Sequence, residues 1–139
     1  MKYSDFIVNS SFHSEFLAVE FFIKKQLKGL QCPQCKKLGK KIYHQKTRPR
    51  KAYCNICSNE FSIFKKTIFK DFRTDIRKLL YSVLVFDETI KAVNLRKEIN
   101  VTHKTALRII RILSTENIFK IKSFKEQIKE VLDNVKSIF

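Results

Sequence analysis

Cys32-Pro33-Gln34-Cys35 and Cys54-Asn55-Ile56-Cys57, two Cys-x-x-Cys pairs with eighteen residues between them, decide how this 139-residue chain is read. Two residues between cysteines let both sulfurs of a tight turn converge on one point. Two such turns facing each other make a tetrahedral cage, the geometry Zn²⁺ takes in structural sites. The separation of the pairs falls in the range for such a site, and together they use every cysteine of the chain. The expectation is one structural Zn²⁺ held by Cys32, Cys35, Cys54 and Cys57. Four sulfur ligands leave no position for a reactive water, so the metal would hold the fold and catalyse nothing. Three other chemistries stand behind zinc. A double disulfide needs an oxidising compartment, and Met1-Lys2-Tyr3-Ser4-Asp5 lacks the apolar run of a signal peptide. A redox Cys-x-x-Cys is expected singly in a βαβ context, and iron–sulfur clusters use other spacings.

Working outward, Lys41-Ile42-Tyr43-His44-Gln45 and Lys51-Ala52-Tyr53-Cys54 read as short strands joined by a turn at Thr47-Arg48-Pro49-Arg50. Glu60-Phe61-Ser62-Ile63-Phe64 alternates like a third strand. Residues 31–70 are therefore expected to form a three-stranded zinc ribbon, too small to fold without its metal. With four sulfurs at hand, His44 reads as a surface strand residue rather than a ligand. Ahead of the ribbon, residues 1–30 are assigned to an amphipathic helical segment that packs on it. Its helix spans 14–30, with Ser14 as N-cap, Glu15 in the first turn, and Phe16, Val19, Ile23, Leu27 and Leu30 along one face, supported by Ala18 and Phe22.

Charge bounds the partner. Twenty-nine Lys and Arg against thirteen Asp and Glu give a net charge of +16. Between Cys32 and Lys70 eleven basic residues face one acid, Glu60. Such like charge on a small module repels itself unless a polyanion is present, which points to nucleic acid ahead of an anionic membrane surface. No apolar run approaches the eighteen residues of a membrane span. The expected location is cytoplasmic, in association with the nucleoid.

Residues 71–122 read as a helical domain. Thr74 or Asp71 would cap a helix carrying Ile76, Leu79, Leu80, Val83, Leu84 and Phe86, ended by Asp87-Glu88-Thr89. Within this domain, 90–113 has the form of a helix-turn-helix: a helix from Ile90 to Ile99, a tight turn at Asn100-Val101, and a second helix from His103 capped by Thr102. Asn tolerates the left-handed conformation that such a turn requires. Ala106, Ile109, Ile110 and Leu113 would face inward, leaving His103, Lys104, Thr105, Arg108 and Arg111 outside. A recognition helix presents its N-terminal side chains to the major groove in this way. The alternative is an ordinary helical hairpin with a charged face. Residues 123–139 are expected to form a last amphipathic helix, opened by a capping box at Ser123 and Glu126 and striped by Phe124, Ile128, Val131, Val135 and Ile138. That helix would cover the helical core or pair with its counterpart in a homodimer.

These landmarks in this order resemble the N-terminal region of a family of bacterial insertion-sequence transposases, the ISXO2-like proteins with an RNase-H-like Asp-Asp-Glu/Asn catalytic domain. The residues carrying the resemblance are Phe12-x-Ser14-Glu15, Cys32-Pro33-x-Cys35, Tyr53-Cys54-x-x-Cys57, Phe61-Ser62 ahead of Lys66-Thr67-Ile68-Phe69, Leu95-x-x-Glu98-Ile99-Asn100-Val101 and Lys104-Thr105-Ala106. The family usually has Gly where Lys36, Lys66 and Asn100 stand, and a small residue in place of Arg96. Asp87-Glu88-Thr89 looks like a catalytic motif of the family but precedes the helix-turn-helix, out of order, and is taken as coincidence.

The fold expected is α+β, a small ribbon flanked by an N-terminal helix and a C-terminal helical bundle, without the catalytic domain. The resemblance implies a double-stranded DNA partner, the inverted repeats at transposon ends. It implies phosphate contacts from Lys40, Lys41, Arg48, Arg50 and Lys51 and base reading from the helix at 103–113. No enzyme activity is expected of these residues alone. A stand-alone regulator or repressor using the same surface is the alternative, and an RNA- or protein-binding ribbon is a further one.

Overall fold

In the computed structural model the described residues are 2–10, 12–27, 29–36, 42–44 and 46–138, with Tyr43 and 133–138 described by their backbone alone. Among them the chain runs through α1 (Tyr3–Asn9), α2 (Glu15–Phe22), a π-helical turn (Ile23–Leu27), β1 (Ile42–His44), β2 (Lys51–Cys54), β3 (Glu60–Ser62), α3 (Ile76–Val85), α4 (Ala92–Ile99), α5 (His103–Thr115) and α6 (Ile118–Ile138). The architecture is α+β. Its residues divide into two compact units, Ser14–Arg73 and the combination of Met1–His13 with Thr74–Phe139.

In the first unit, the Ser14 Oγ accepts the Leu17 N–H at 3.3 Å and starts α2 with Glu15 in its first turn. The face that α2 buries is Ala18, Val19 and Phe22. All three belong to the expected face, Val19 in its stripe and Ala18 and Phe22 beside it, whereas Phe16, Ile23, Leu27 and Leu30 are half-buried. The α-helix stops at Phe22 and widens into the π-turn, which shifts the phase of every later side chain. Gly29, at φ +121°, closes that turn by donating its N–H to the Ile23 carbonyl at 3.2 Å. The strands form an antiparallel sheet in the order β1-β2-β3, pairing Tyr43 with Tyr53 and Tyr53 with Glu60. The core of the unit is a phenylalanine cluster. Phe22 meets Phe64 and Phe69 at ring-centroid distances of 5.0 and 5.6 Å, and Phe69 meets Phe72 at 6.5 Å. Edge and tilted approaches of this kind are the favourable ones for aromatic rings.

The second unit is all helical among its described residues. The expected grouping of residues 1–30 as one segment is divided here, because α1 packs on α3 and α6 through its buried Phe6. Phe6 lies 5.7 Å from Phe12 and 5.5 Å from Tyr81. Asp75, rather than Thr74 or Asp71, caps α3, its Oδ1 accepting the Arg77 N–H at 2.8 Å. Asp71 instead stands in the left-handed region at φ +66°. Helix α6 begins at Ile118, five residues before the expected Ser123, because Asn117 supplies the cap by accepting the Phe119 N–H at 2.8 Å. Ser123 is thus an exposed position inside the helix. The buried stripe of α6 is Ile121, Phe124, Ile128 and Leu132. Val131 is half-buried, and the side chains of Val135 and Ile138 lie outside the described residues.

Candidate metal centre and basic helix surface

The two cysteine turns are built alike. In the first, the Lys36 N–H returns to the Cys32 carbonyl at 2.9 Å with Lys36 at φ +62°. In the second, the Ser58 N–H returns to the Cys54 carbonyl at 2.9 Å with Ser58 at φ +60°. Each turn therefore ends on a left-handed residue one position after its second cysteine, which curls the backbone around the sulfurs. Neither position is glycine, so both store a modest strain held by the turn. The Cα register Ile42↔Cys54 brings β1 alongside the second pair.

All four sulfurs lie within 4.8 Å of one another. Across the two turns the sulfurs are 3.5 Å apart between Cys32 and Cys57 and 3.6 Å between Cys35 and Cys54. A tetrahedral ion with metal–sulfur bonds of about 2.3 Å requires sulfur–sulfur edges of about 3.8 Å, so the donor set fits a four-coordinate metal site. Cys32 and Cys54 are buried and Cys35 and Cys57 half-buried. Burial raises the Cys32 thiol, but the N–H groups of Cys35 and Gln34 and the neighbouring thiols outweigh it and draw Cys32 down to about 6. Burial and the Cys32 sulfur push Cys57 up to about 12. Sulfurs this close repel one another when deprotonated, which a divalent cation bound between them would relieve. Asn59 Nδ2 approaches Cys32 Sγ at 3.9 Å, a contact that the cysteine spacing gave no reason to expect.

His44 does not join the sulfurs. Its ring stacks on Phe16 at 4.3 Å and 14°, and its Nε2 hydrogen-bonds the Pro49 carbonyl at 2.5 Å. Burial lowers its pKa.

Of the residues expected to meet phosphates on this unit, Lys40 and Lys41 lie outside the described residues. Arg48 is exposed and pairs with Glu60 at 2.7 Å, while Lys51 is half-buried on β2. Arg50 has a different role. Its Nε donates to Glu15 at 2.8 Å, another nitrogen donates to the Phe72 carbonyl, and the guanidinium lies 5.9 Å from the Phe64 ring. An arginine enclosed this way ties the start of α2 to the end of the unit, so Arg50, expected among the phosphate contacts, is engaged in bonds within the unit.

In the helical unit, α4 ends on Asn100 at φ +54°, and Thr102 caps α5 by accepting the Thr105 N–H at 3.2 Å. The Val101 N–H closes the turn on the Arg96 carbonyl, and the Lys78 ammonium meets the Asn100 carbonyl at 3.1 Å. Ala106, Ile109 and Leu113 are buried and Ile110 half-buried; the α4 face against α5 includes Leu95 and Ile99. Ala106 is small enough for the helices to approach, and Arg96 points away, exposed. His103, Lys104, Arg108 and Arg111 are exposed on α5. Thr105 is half-buried, its hydroxyl bonded to that of Thr102 at 2.9 Å. Asp87, the first residue of the Asp-Glu-Thr stretch, accepts both the N–H and the hydroxyl of Thr89, at 2.8 and 2.7 Å. These bonds lower its pKa and close a local turn.

No family model, no curated protein and no solved structure matches the chain. No described helix is long and apolar enough to cross a membrane.

Proposed function

We propose that the chain is a DNA-binding protein: a zinc ribbon over residues 31–70 and a helix-turn-helix over 90–113. Each supplies part of a contact with duplex DNA. The observation that carries the reading is the α4–α5 pair, joined through a left-handed Asn100 and a Thr102 cap, with His103, Lys104, Arg108 and Arg111 exposed on α5. Side chains at the N-terminal end of such a helix reach base edges, and its basic residues meet phosphates. Arg108 and Arg111 have the donor geometry for guanine or phosphate. Thr105, bonded to Thr102, serves the cap first and the DNA second.

Zn²⁺ is the ion that suits four thiolates at these spacings, and with every coordination position taken by sulfur it organises the ribbon. Fifteen basic residues against four acids between Ser14 and Arg73 supply the attraction for a polyanion. The substrate class suggested by the resemblance is the inverted repeats at the ends of an insertion sequence, bound without cleavage by this chain.

The test is fluorescence polarisation of the zinc-loaded protein with duplex DNA across a salt series, competed by single strands and structured RNA. Affinity should fall steeply with salt, and duplex should compete best. Arg108→Ala should cost about 1–3 kcal/mol at a preferred site if that side chain reads a base. Equal competition by structured RNA, or full site discrimination by Arg108→Ala, would remove the recognition-helix assignment.

A further inference from the structure

Lys36, Lys65 and Lys66 line one groove of the Ser14–Arg73 unit, a cavity of about 210 Å³ that also takes in Gln31 and Ser62. Resting on the DNA-binding reading above, we propose that this groove is the ribbon's binding site for the phosphodiester backbone.

The ion pairs of the unit set these lysines apart from the two arginines between β1 and β2. Arg48 and Arg50 are neutralised by Glu60 and Glu15, whereas Lys36, Lys65 and Lys66 carry no ion pair among the described residues. All three are exposed, and they approach the groove from separated parts of the chain, the first cysteine turn and the segment after β3. Lys36 is held there in a left-handed backbone conformation by its N–H to the Cys32 carbonyl. The Gln31 side-chain amide donates to the Lys36 carbonyl at 3.0 Å. A lysine at a position that favours glycine, fixed by the metal-binding turn itself, places a charge at a defined point on the rim. Leu30, Phe61 and Ile63 also line the groove. A cleft of one sign of charge with apolar walls focuses its field on whatever enters. The volume is below the roughly 300 Å³ of a pocket for a compact organic ligand, and it suits a phosphate group with part of its sugar.

The experiment compares a Lys36→Gly/Lys65→Ala/Lys66→Ala protein with wild type on a mixed-sequence duplex across a salt series. A Lys120→Ala/Lys122→Ala/Lys129→Ala protein, with the same net charge removed from the exposed side of α6, serves as control. Lys36→Gly relaxes the left-handed position, so it removes the charge without straining the turn. The groove variant should lose about tenfold or more in affinity, and its slope of log affinity against log salt should shrink by about 0.9 for each phosphate contact removed. The α6 control should keep a slope close to wild type. Cobalt substitution reads the cysteine site independently, and its sulfur-to-metal absorption should be the same in all three proteins. Should the triple variant lose that absorption, Lys65→Ala/Lys66→Ala, which leaves the cysteine turn untouched, carries the test with an expected slope change of about two contacts. A wild-type slope in the groove variant, or an equal change in the control, overturns the groove while leaving the DNA-binding reading intact. A wild-type protein that binds no duplex overturns both.

Discussion

The Tyr81 hydroxyl donates to Glu98 Oε1 at 3.0 Å, and the same oxygen accepts the Tyr3 N–H at 2.8 Å. One carboxylate on α4 therefore ties together α3 and the first residue of α1. Burial and the Glu98 hydrogen bond raise the Tyr81 pKa, so the phenol stays protonated and keeps donating at any ordinary pH. Glu98→Ala should cost about 1–3 kcal/mol in urea unfolding, because it leaves the buried Tyr81 hydroxyl without that acceptor. Tyr81→Phe should cost less, about 1 kcal/mol, since it removes donor and polar atom together. The double variant should fall short of the sum; additive losses would show that the two groups do not act as a pair.

Arg50 and Arg48 lie two residues apart and should respond differently to truncation. The Arg50 side chain is 22% exposed and holds Glu15 and the Phe72 carbonyl, whereas that of Arg48 is 55% exposed and meets only Glu60 among the described ion pairs. Arg50→Ala should destabilise the cysteine unit by about 1–3 kcal/mol. Arg48→Ala should change it by less than about 1 kcal/mol. Thermal unfolding of the two variants side by side checks the ranking, and a larger loss at Arg48 would contradict it.

The elements that could be read from the sequence are those set by local rules. Ser14 and Thr102 are caps because short hydroxyl side chains satisfy free N–H groups, and Asn100 takes the left-handed turn because it pays little for φ > 0. The four sulfurs converge because two Cys-x-x-Cys turns leave them little choice. What escaped was decided at a distance. Nothing local separates residues 1–13 from the helix that follows, since α1 is placed by the contacts of Phe6 with Phe12 and Tyr81. Nor does anything local separate Arg50 from its basic neighbours, since its partner Glu15 stands thirty-five residues earlier in the chain. The start of α6 carries two competing cap signals, and Asn117 caps it although Ser123 heads a capping-box pattern.

Metal removal tests the cysteine site directly. Chelation should abolish the near-ultraviolet signal of Tyr53 and its aromatic neighbours, and zinc should restore it with release of thiol protons. Cys57→Ser should bind zinc at least tenfold more weakly, since a hydroxyl is a poor replacement for a thiolate. A chelated protein with an unchanged spectrum and unchanged melting temperature would show that no structural metal is bound.

His44 predicts a pH dependence with a definite sign. Its folded pKa is lowered from 6.5 by burial, so the unfolded chain takes up the proton first as the solution is acidified. The stability associated with neutral His44 is therefore complete above about 6.5 and is lost as pH falls through the lower folded value. His44→Phe keeps a flat ring against Phe16 but removes the titration. Comparing the pH dependence of unfolding for the two proteins isolates the imidazole, and parallel curves from neutral pH downward would show that His44 contributes none of it.

Asn100 sets the turn on which the exposure of the α5 residues depends, at φ +54° and ψ +64°. Its C-cap N–H reaches the Arg96 carbonyl, and the Val101 N–H reaches the same oxygen at 3.1 Å, so the left-handed residue closes α4 twice over. Glycine adopts this conformation without a Cβ penalty but has more freedom to lose on folding, so Asn100→Gly should change stability by less than about 1 kcal/mol. A β-branched residue meets the full steric cost of the left-handed region, and Asn100→Val should destabilise the helical unit by about 1–2 kcal/mol. Because α5 starts three residues later, that strain also acts on the N-terminal turn carrying His103 and Lys104. Under the DNA-binding reading, Asn100→Val should weaken duplex binding even where the protein remains folded, whereas Asn100→Gly should not. Chemical unfolding followed by polarisation binding at a temperature where both variants are native separates the two effects. Equal affinity in a folded Asn100→Val protein would show that the left-handed turn serves stability alone.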